Sequence, residues 1–161
     1  KGYTDPTNPN IVSLDIQDFA TGNYTLNTTS GNKTPRAPLN GSMVVNPSFL
    51  LTGEGPRMGE NWREAYGRIL TAHPQFARAT VNRVWFHLLG RGIVDPPDDF
   101  RDSNPPSNDA LLDSLAKEFV DRKFDVKHII RTIVNSRTYQ LSFQANASNG
   151  ADEKYFSHAL V

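Results

Sequence analysis

Arg78 and Asn82 stand four residues apart in a segment of helical period, which places them one turn apart on the same helix face. A guanidinium offers a planar fork of donors and a carboxamide adds a donor and an acceptor, so the pair has the chemistry of an anion or carboxylate site. Arg83 and Arg101 add two more guanidiniums, while Asp95, Asp98, Asp99 and Asp102 crowd a short loop downstream of the helix. Two readings follow from these residue types. In one, the group lines a ligand site; in the other, the arginines and Asn82 tie the acidic loop to the helix. The second is preferred, because polar groups bordering an apolar face must find partners whether or not a ligand binds.

The remaining candidates for chemistry are weaker. Four loop carboxylates are hard oxygen ligands suited to Ca²⁺, but the spacing of a calcium-binding loop, with its sixth-position Gly, is missing. Paired carboxylates can hydrolyse sugars only at a defined separation, which nothing in this loop sets. His73, His87, His128 and His158 are scattered without zinc-ligand spacing, so no metal site is assigned, and His128 falls in the first turn of a helix. No Gly-x-Ser-x-Gly elbow occurs, and Gly90-Arg91-Gly92 closes a helix where a phosphate cradle would open one. No catalytic residue is assigned. Trp62, Trp85 and Tyr139 are candidate aromatic contacts of a carbohydrate platform, although aromatics at helical spacing are more often core.

Composition bounds these possibilities. A chain of 161 residues suffices for one hydrophobic core. Its 17 basic and 17 acidic residues cancel, which removes the field that draws a protein onto nucleic acid and excludes a general nucleic-acid binder. Cysteine is absent, so disulfides, thiolate chemistry and covalent haem attachment through Cys-x-x-Cys-His are excluded within this chain. No apolar run approaches the roughly 20 residues of a membrane span, so no membrane insertion is expected.

The elements that must position these residues divide at about residue 56. Residues 1–56 read as an N-terminal β or extended arm: Val12–Gln17 alternates with period two, Tyr24 and Leu26 repeat it after a turn at Thr21-Gly22-Asn23, and a hairpin is expected there. Met43-Val44-Val45 and Phe49-Leu50-Leu51 read as extended chain interrupted by Asn46-Pro47. Residues 57–161 read as a helical domain, so the fold class is mainly α: a compact multi-helix domain of about four helices plus a truncated fifth. The first helix spans about Asn61–Ala72, and the second runs from Pro74 to a stop at Gly90 with Ala77, Val81, Val84 and Leu88 inward. The third is expected to be capped by Ser107 and to bury Leu112, Leu115 or Ala116, and Phe119. Asp125 caps the fourth, whose Val126, Ile129, Ile130, Ile133 and Val134 follow the amphipathic spacing. Tyr155–Val161 reads as the first turns of a fifth helix.

The run Pro74-Gln75-Phe76-Ala77-Arg78-Ala79-Thr80-Val81-Asn82-Arg83-Val84-Trp85 is distinctive. So are Gly90-Arg91-Gly92-Ile93-Val94, Pro97-Asp98-Asp99-Phe100, Asn104-Pro105-Pro106-Ser107, Phe124-Asp125-Val126-Lys127 and Ser136-Arg137-Thr138-Tyr139-Gln140. Over about Arg36–Val161 the chain resembles a planctomycete-type domain of unknown function, catalogued as domain of unknown function fifteen fifty-three and also called PSD-one. His73 departs from the Asn more usual there, and the long helical segment that commonly follows the last helix is missing. The resemblance implies an exported protein of the periplasm, cell envelope or exterior, in which this domain lies toward the C-terminus of a larger parent. That parent often carries a planctomycete cytochrome c domain upstream, so haem belongs elsewhere in the parent and no cofactor is expected in this chain.

The function expected is therefore a non-catalytic structural and interaction domain. Its partners are other domains of the same parent or an envelope protein. The alternative is part of an envelope enzyme, redox or polysaccharide-degrading, whose site another domain completes.

Overall fold

The computed structural model describes residues 24–25 and 44–159. Among the described residues, two short strands and four helices make up the regular elements, and the fold is mainly α. The chain divides into residues 1–70 and residues 71–161. The change of hydrophobic period near residue 56 precedes the first helix, which starts at Trp62, whereas this division falls inside that helix.

In residues 1–70, β1 (Tyr24–Thr25) pairs antiparallel with β2 (Val44–Val45), setting Tyr24 opposite Val45 and Thr25 opposite Val44. The strand expected over Val12–Gln17 lies outside the described residues. Helix α1 spans Trp62–Ala72 and buries Ala65 and Ile69, one turn apart. Asn61 starts it by accepting hydrogen bonds from the Arg63 and Glu64 backbone N–H groups at 2.8 and 3.3 Å. Arg68, on the same helix, holds both carboxylate oxygens of Glu60 at 2.8 and 2.9 Å and reaches Glu54 at 2.5 Å. One guanidinium thus pins the loop 54–60 to α1.

In residues 71–161, α2 (Pro74–Leu89) begins at His73, whose Nδ1 accepts from the Gln75 N–H at 3.2 Å, the bond that an Asn at this position would accept. Pro74 costs nothing at the first helical position, where its missing N–H would be unpaired in any case. The helix ends at Gly90, which takes a φ of 78° and donates its N–H to the Phe86 carbonyl at 2.8 Å.

Helix α3 (Asp109–Asp121) is capped by Asn108, not by Ser107 as the sequence suggested. The Asn108 Oδ1 accepts from the Leu111 N–H at 3.0 Å, while Ser107 gives both its N–H and its hydroxyl to the Ile93 carbonyl, at 2.8 and 3.0 Å. A distant loop carbonyl has claimed the serine, and the next residue takes over the cap. Between α3 and α4, Lys123 and Phe124 adopt left-handed φ values of 55° and 63°. The Phe124 ring is held edge-on by Phe119 at 5.3 Å and Phe76 at 5.8 Å, contacts that offset the cost of that backbone.

Helix α4 (Val126–Val134) is capped by Asp125, which accepts from the His128 N–H at 3.1 Å. Its buried line is narrower than the sequence pattern: Ile129 and Ile133 are enclosed, but Val126 and Ile130 remain 43% and 38% exposed. The fifth helix does not form within the described residues. Instead, Asp152 gathers the backbone N–H groups of Lys154, Tyr155 and Ser157 at 2.9, 2.7 and 3.0 Å, closing the chain into a turn, and its carboxyl is held well below the usual range by the Ser157 side chain first and by these N–H groups next.

The core of this unit joins Ala77, Val81 and Trp85 of α2 to Leu112, Leu115 and Phe119 of α3 and to Ile129 and Ile133 of α4. Ile93 and Val94, from the loop after α2, are buried in the same core, so the crossing between α2 and α3 is part of the packing.

Candidate functional site

The site is built by the loop 90–106 folding back onto α2. Gly92 is buried where a Cβ would collide with the Val94 carbonyl oxygen and stand 3.1 Å from Asn82 Nδ2. Only glycine allows the chain to turn so tightly there. The turn drives Ile93 and Val94 inward and presents Val94 to Asn82, which is itself fully enclosed.

Asn82 Nδ2 donates to the carbonyls of Val94 and Pro97, both at 2.9 Å, and Asn82 Oδ1 accepts from the Val94 N–H at 3.0 Å. Both carboxamide protons and an oxygen lone pair are engaged with loop backbone. Asn104 repeats the device from the far side, donating to the carbonyls of Asp99 and Asp95 at 3.0 and 3.3 Å.

The charged residues pair around this clasp. Arg83 Nε and Nη2 meet the two oxygens of Asp98 at 2.7 and 2.9 Å, a bidentate fork on the exposed side. Those bonds hold the Asp98 carboxyl below its ordinary value and raise Arg83. Arg101 lies 2.9 Å from Asp99, and Arg91 lies 3.5 Å from Asp95 while donating to the Glu153 carbonyl at 2.6 Å.

Arg78 makes its ion pairs with helix α3 and not with the acidic loop. It donates to Asp109 at 2.6 Å and to Asp113, bracing α2 against α3. Asn82 and Arg83 therefore hold the loop, while Arg78 serves the helix pair. The structure does bring Arg78 and Arg101 to one cleft of about 390 Å³, shared with Gln75, Phe100, Asp102 and Asn104. Asn82, Arg83, Asp98 and Asp99 do not line it.

The aromatic candidates separate. Trp85 is 3% exposed and packs edge-on against Phe156 at 5.3 Å, so it belongs to the core and offers no face to a sugar. Trp62 is half-buried beside Phe49, Tyr66, Pro47 and Pro56 around a cavity of about 360 Å³ in the first unit. Tyr139 is 40% exposed in the second unit. His128 Nε2 lies 2.7 Å from Glu118 Oε1, and Arg122 shares that oxygen at 3.0 Å, so Glu118 titrates below its usual range through Arg122 first and His128 second. Among the described residues no group of three or more His, Cys, Asp or Glu side chains is placed to hold a metal ion.

Four residues of this arrangement escaped the sequence. Gly92, Asn104, Asp109 and Asp113 carry it as much as Arg78 or Asn82 does. The spacing of Asp109 and Asp113 by one turn was visible, but not the helix they face.

A loop clasped to helix α2 by a buried carboxamide, within a small mainly α domain, is what the geometry defines. Residues 65–159 match the PSD1 family, described as protein of unknown function (DUF1553), over more than half of the chain, and the chain belongs to that family. No curated protein and no solved structure matches it significantly.

Proposed function

We propose that this chain is a non-catalytic docking domain of a larger exported cell-envelope protein, packing against other domains of that parent or against an envelope partner. The observation that carries this reading is the consumption of the polar site by its own fold. Asn82 spends its carboxamide on the Val94 and Pro97 backbone, and Arg78, Arg83, Asp98, Asp99 and Arg101 are all engaged with one another or with α3. Apolar side chains, by contrast, are left uncovered in both units, among them Leu50, Met58, Phe143 and Tyr155 at 94, 104, 65 and 68% exposure. Exposed apolar surface of this kind is what association covers. The exported setting and an association with cytochrome domains rest on the resemblance carried by the run Pro74–Trp85. Haem bound through Cys-x-x-Cys-His belongs in this reading to another domain, because this chain has no cysteine.

The test is co-purification with the separately expressed remainder of the parent, together with turnover assays on the isolated chain. Complex formation and no turnover are expected. Turnover that Arg78→Ala or Asp99→Ala abolishes, while circular dichroism and melting stay unchanged, would end this reading.

One observation favours the alternative of an envelope enzyme completed by another domain: Arg78 and Arg101 open onto the same cleft. In that case Arg101→Ala reduces turnover of the assembled parent without loosening the assembly.

A further inference from the structure

Helix α4 carries more apolar surface than the core takes up. At 100° per residue, Ile129 and Ile133 point into the bundle, Val126, Ile130 and Val134 form the next stripe, and Lys127 and Arg131 form the stripe beyond it. Val126 and Ile130 are about two-fifths exposed, and Val134 is half-buried. The charges beside them are all of one sign. Residues 126–151 contain Lys127, Arg131 and Arg137 and no Asp or Glu, although the chain as a whole is neutral.

Those cations are unspent. Arg122, Lys117 and Arg83 have carboxylate partners, but among the described residues the side chains of Lys127, Arg131 and Arg137 take part in no ion pair or hydrogen bond, nor does that of Lys123 in the turn before the helix. The nearby carboxylates are otherwise engaged: Glu118 holds Arg122 and His128, and Asp125 caps α4. The same acid-free segment exposes Tyr139, Leu141 and Phe143.

From this juxtaposition, and resting on the docking reading above, we propose that the Val126–Ile130 face of α4 receives an acidic amphipathic segment of a partner protein: an apolar ridge flanked by Asp or Glu. A stripe of half-exposed aliphatics rimmed by unpaired cations complements such a ridge in shape and charge. A membrane is the less suitable counterpart. Insertion requires an apolar face that projects about 5–10 Å into the headgroup boundary, whereas the most apolar line of α4, Ile129 and Ile133, is already buried.

The experiment titrates the whole chain with a helix-forming peptide of about four turns, bearing a leucine ridge flanked by glutamates, and reads affinity by fluorescence anisotropy. The same peptide with lysines for glutamates, and vesicles of phosphatidylcholine and phosphatidylglycerol, are the comparison arms. The acidic peptide is expected to bind, and to bind about tenfold more weakly to the double variant Lys127→Glu, Arg131→Glu. Raising salt from about 0.05 to about 0.5 M should also weaken it. Lys154→Glu, an exposed cation outside the acid-free segment, should leave binding unchanged, and Ile130→Ser with an unaltered dichroism spectrum should weaken it.

Equal affinity for the two peptides, binding to vesicles alone, self-association abolished by the double variant, or no binding at all each overturns the assignment. The docking reading is scored separately, by complex formation with the remainder of the parent, and can stand when the α4 assignment falls.

Discussion

Asn82 and Val94, twelve residues apart, are joined as paired strand residues are: the Val94 N–H donates to Asn82 Oδ1 at 3.0 Å, and Asn82 Nδ2 donates back to the Val94 carbonyl at 2.9 Å. A side chain on a helix thus supplies a peptide-like edge to a loop that has no strand beside it. Burial makes the arrangement matter, because each loop group it satisfies would otherwise be shut away from water without a partner.

Replacing Asn82 by Ala leaves the Val94 N–H and the Val94 and Pro97 carbonyls without their partner. The expected loss is about 3 kcal/mol or more in chemical denaturation, since each buried polar group left unpaired costs about 1–3 kcal/mol. Asn82→Asp should be worse at neutral pH, because it sets a carboxylate oxygen against two carbonyls. An Ala variant within 1 kcal/mol of the parent, by that same measurement, would show that the clasp is dispensable.

Gly92→Ala tests the turn that delivers Val94. The added methyl meets the Val94 carbonyl oxygen and crowds Asn82 Nδ2 at 3.1 Å, and both are backbone or fully buried groups that cannot swing aside. A loss of about 2 kcal/mol is expected, or a melting temperature lower by about 8–16 °C. Gly67→Ala is the contrasting case, because a Cβ there meets nothing within 4 Å; in the middle of α1 it should stabilise by up to about 1 kcal/mol.

The Glu60–Arg68 pair predicts an acid response of the first unit. Hydrogen bonds from Arg68, and then from the Arg57 N–H, lower the Glu60 carboxyl from 4.5 to about 2. A carboxyl depressed on folding contributes stability that is complete above pH 4.5 and lost as pH falls toward 2. Comparison of the parent with Glu60→Gln by urea denaturation across that window should show a difference that is constant at neutral pH and shrinks steadily in acid. A difference that does not change with pH counts against the assignment.

Arg78 bridges Asp109 and Asp113 from the neighbouring helix, with a quarter of its side chain exposed. Arg78→Lys keeps the charge but loses the fork, and should cost about 1 kcal/mol at low salt, with the penalty fading as ionic strength rises. Asp113→Asn in the Arg78→Lys background should add little, because the two residues act through one contact. Additive losses in that double-mutant cycle would place the effect elsewhere.

Within the described residues, the sequence by itself determined the four helices, though not the fifth it suggested at Tyr155: Pro74 opening α2, Gly90 closing it and Asp125 capping α4 are all local events, set by backbone sterics and the nearest few hydrogen bonds. It also marked Arg78, Asn82, Arg83, Asp98, Asp99 and Arg101 as residues that needed partners. Which partner each one took was decided only in three dimensions. Arg78 chose α3 over the acidic loop, Ser107 left its cap for the Ile93 carbonyl, and half of the α4 stripe stayed outside. A one-dimensional pattern records that a side chain is polar or apolar, but pairing depends on which groups the packed helices bring within about 3 Å, and that distance is a property of the assembled core.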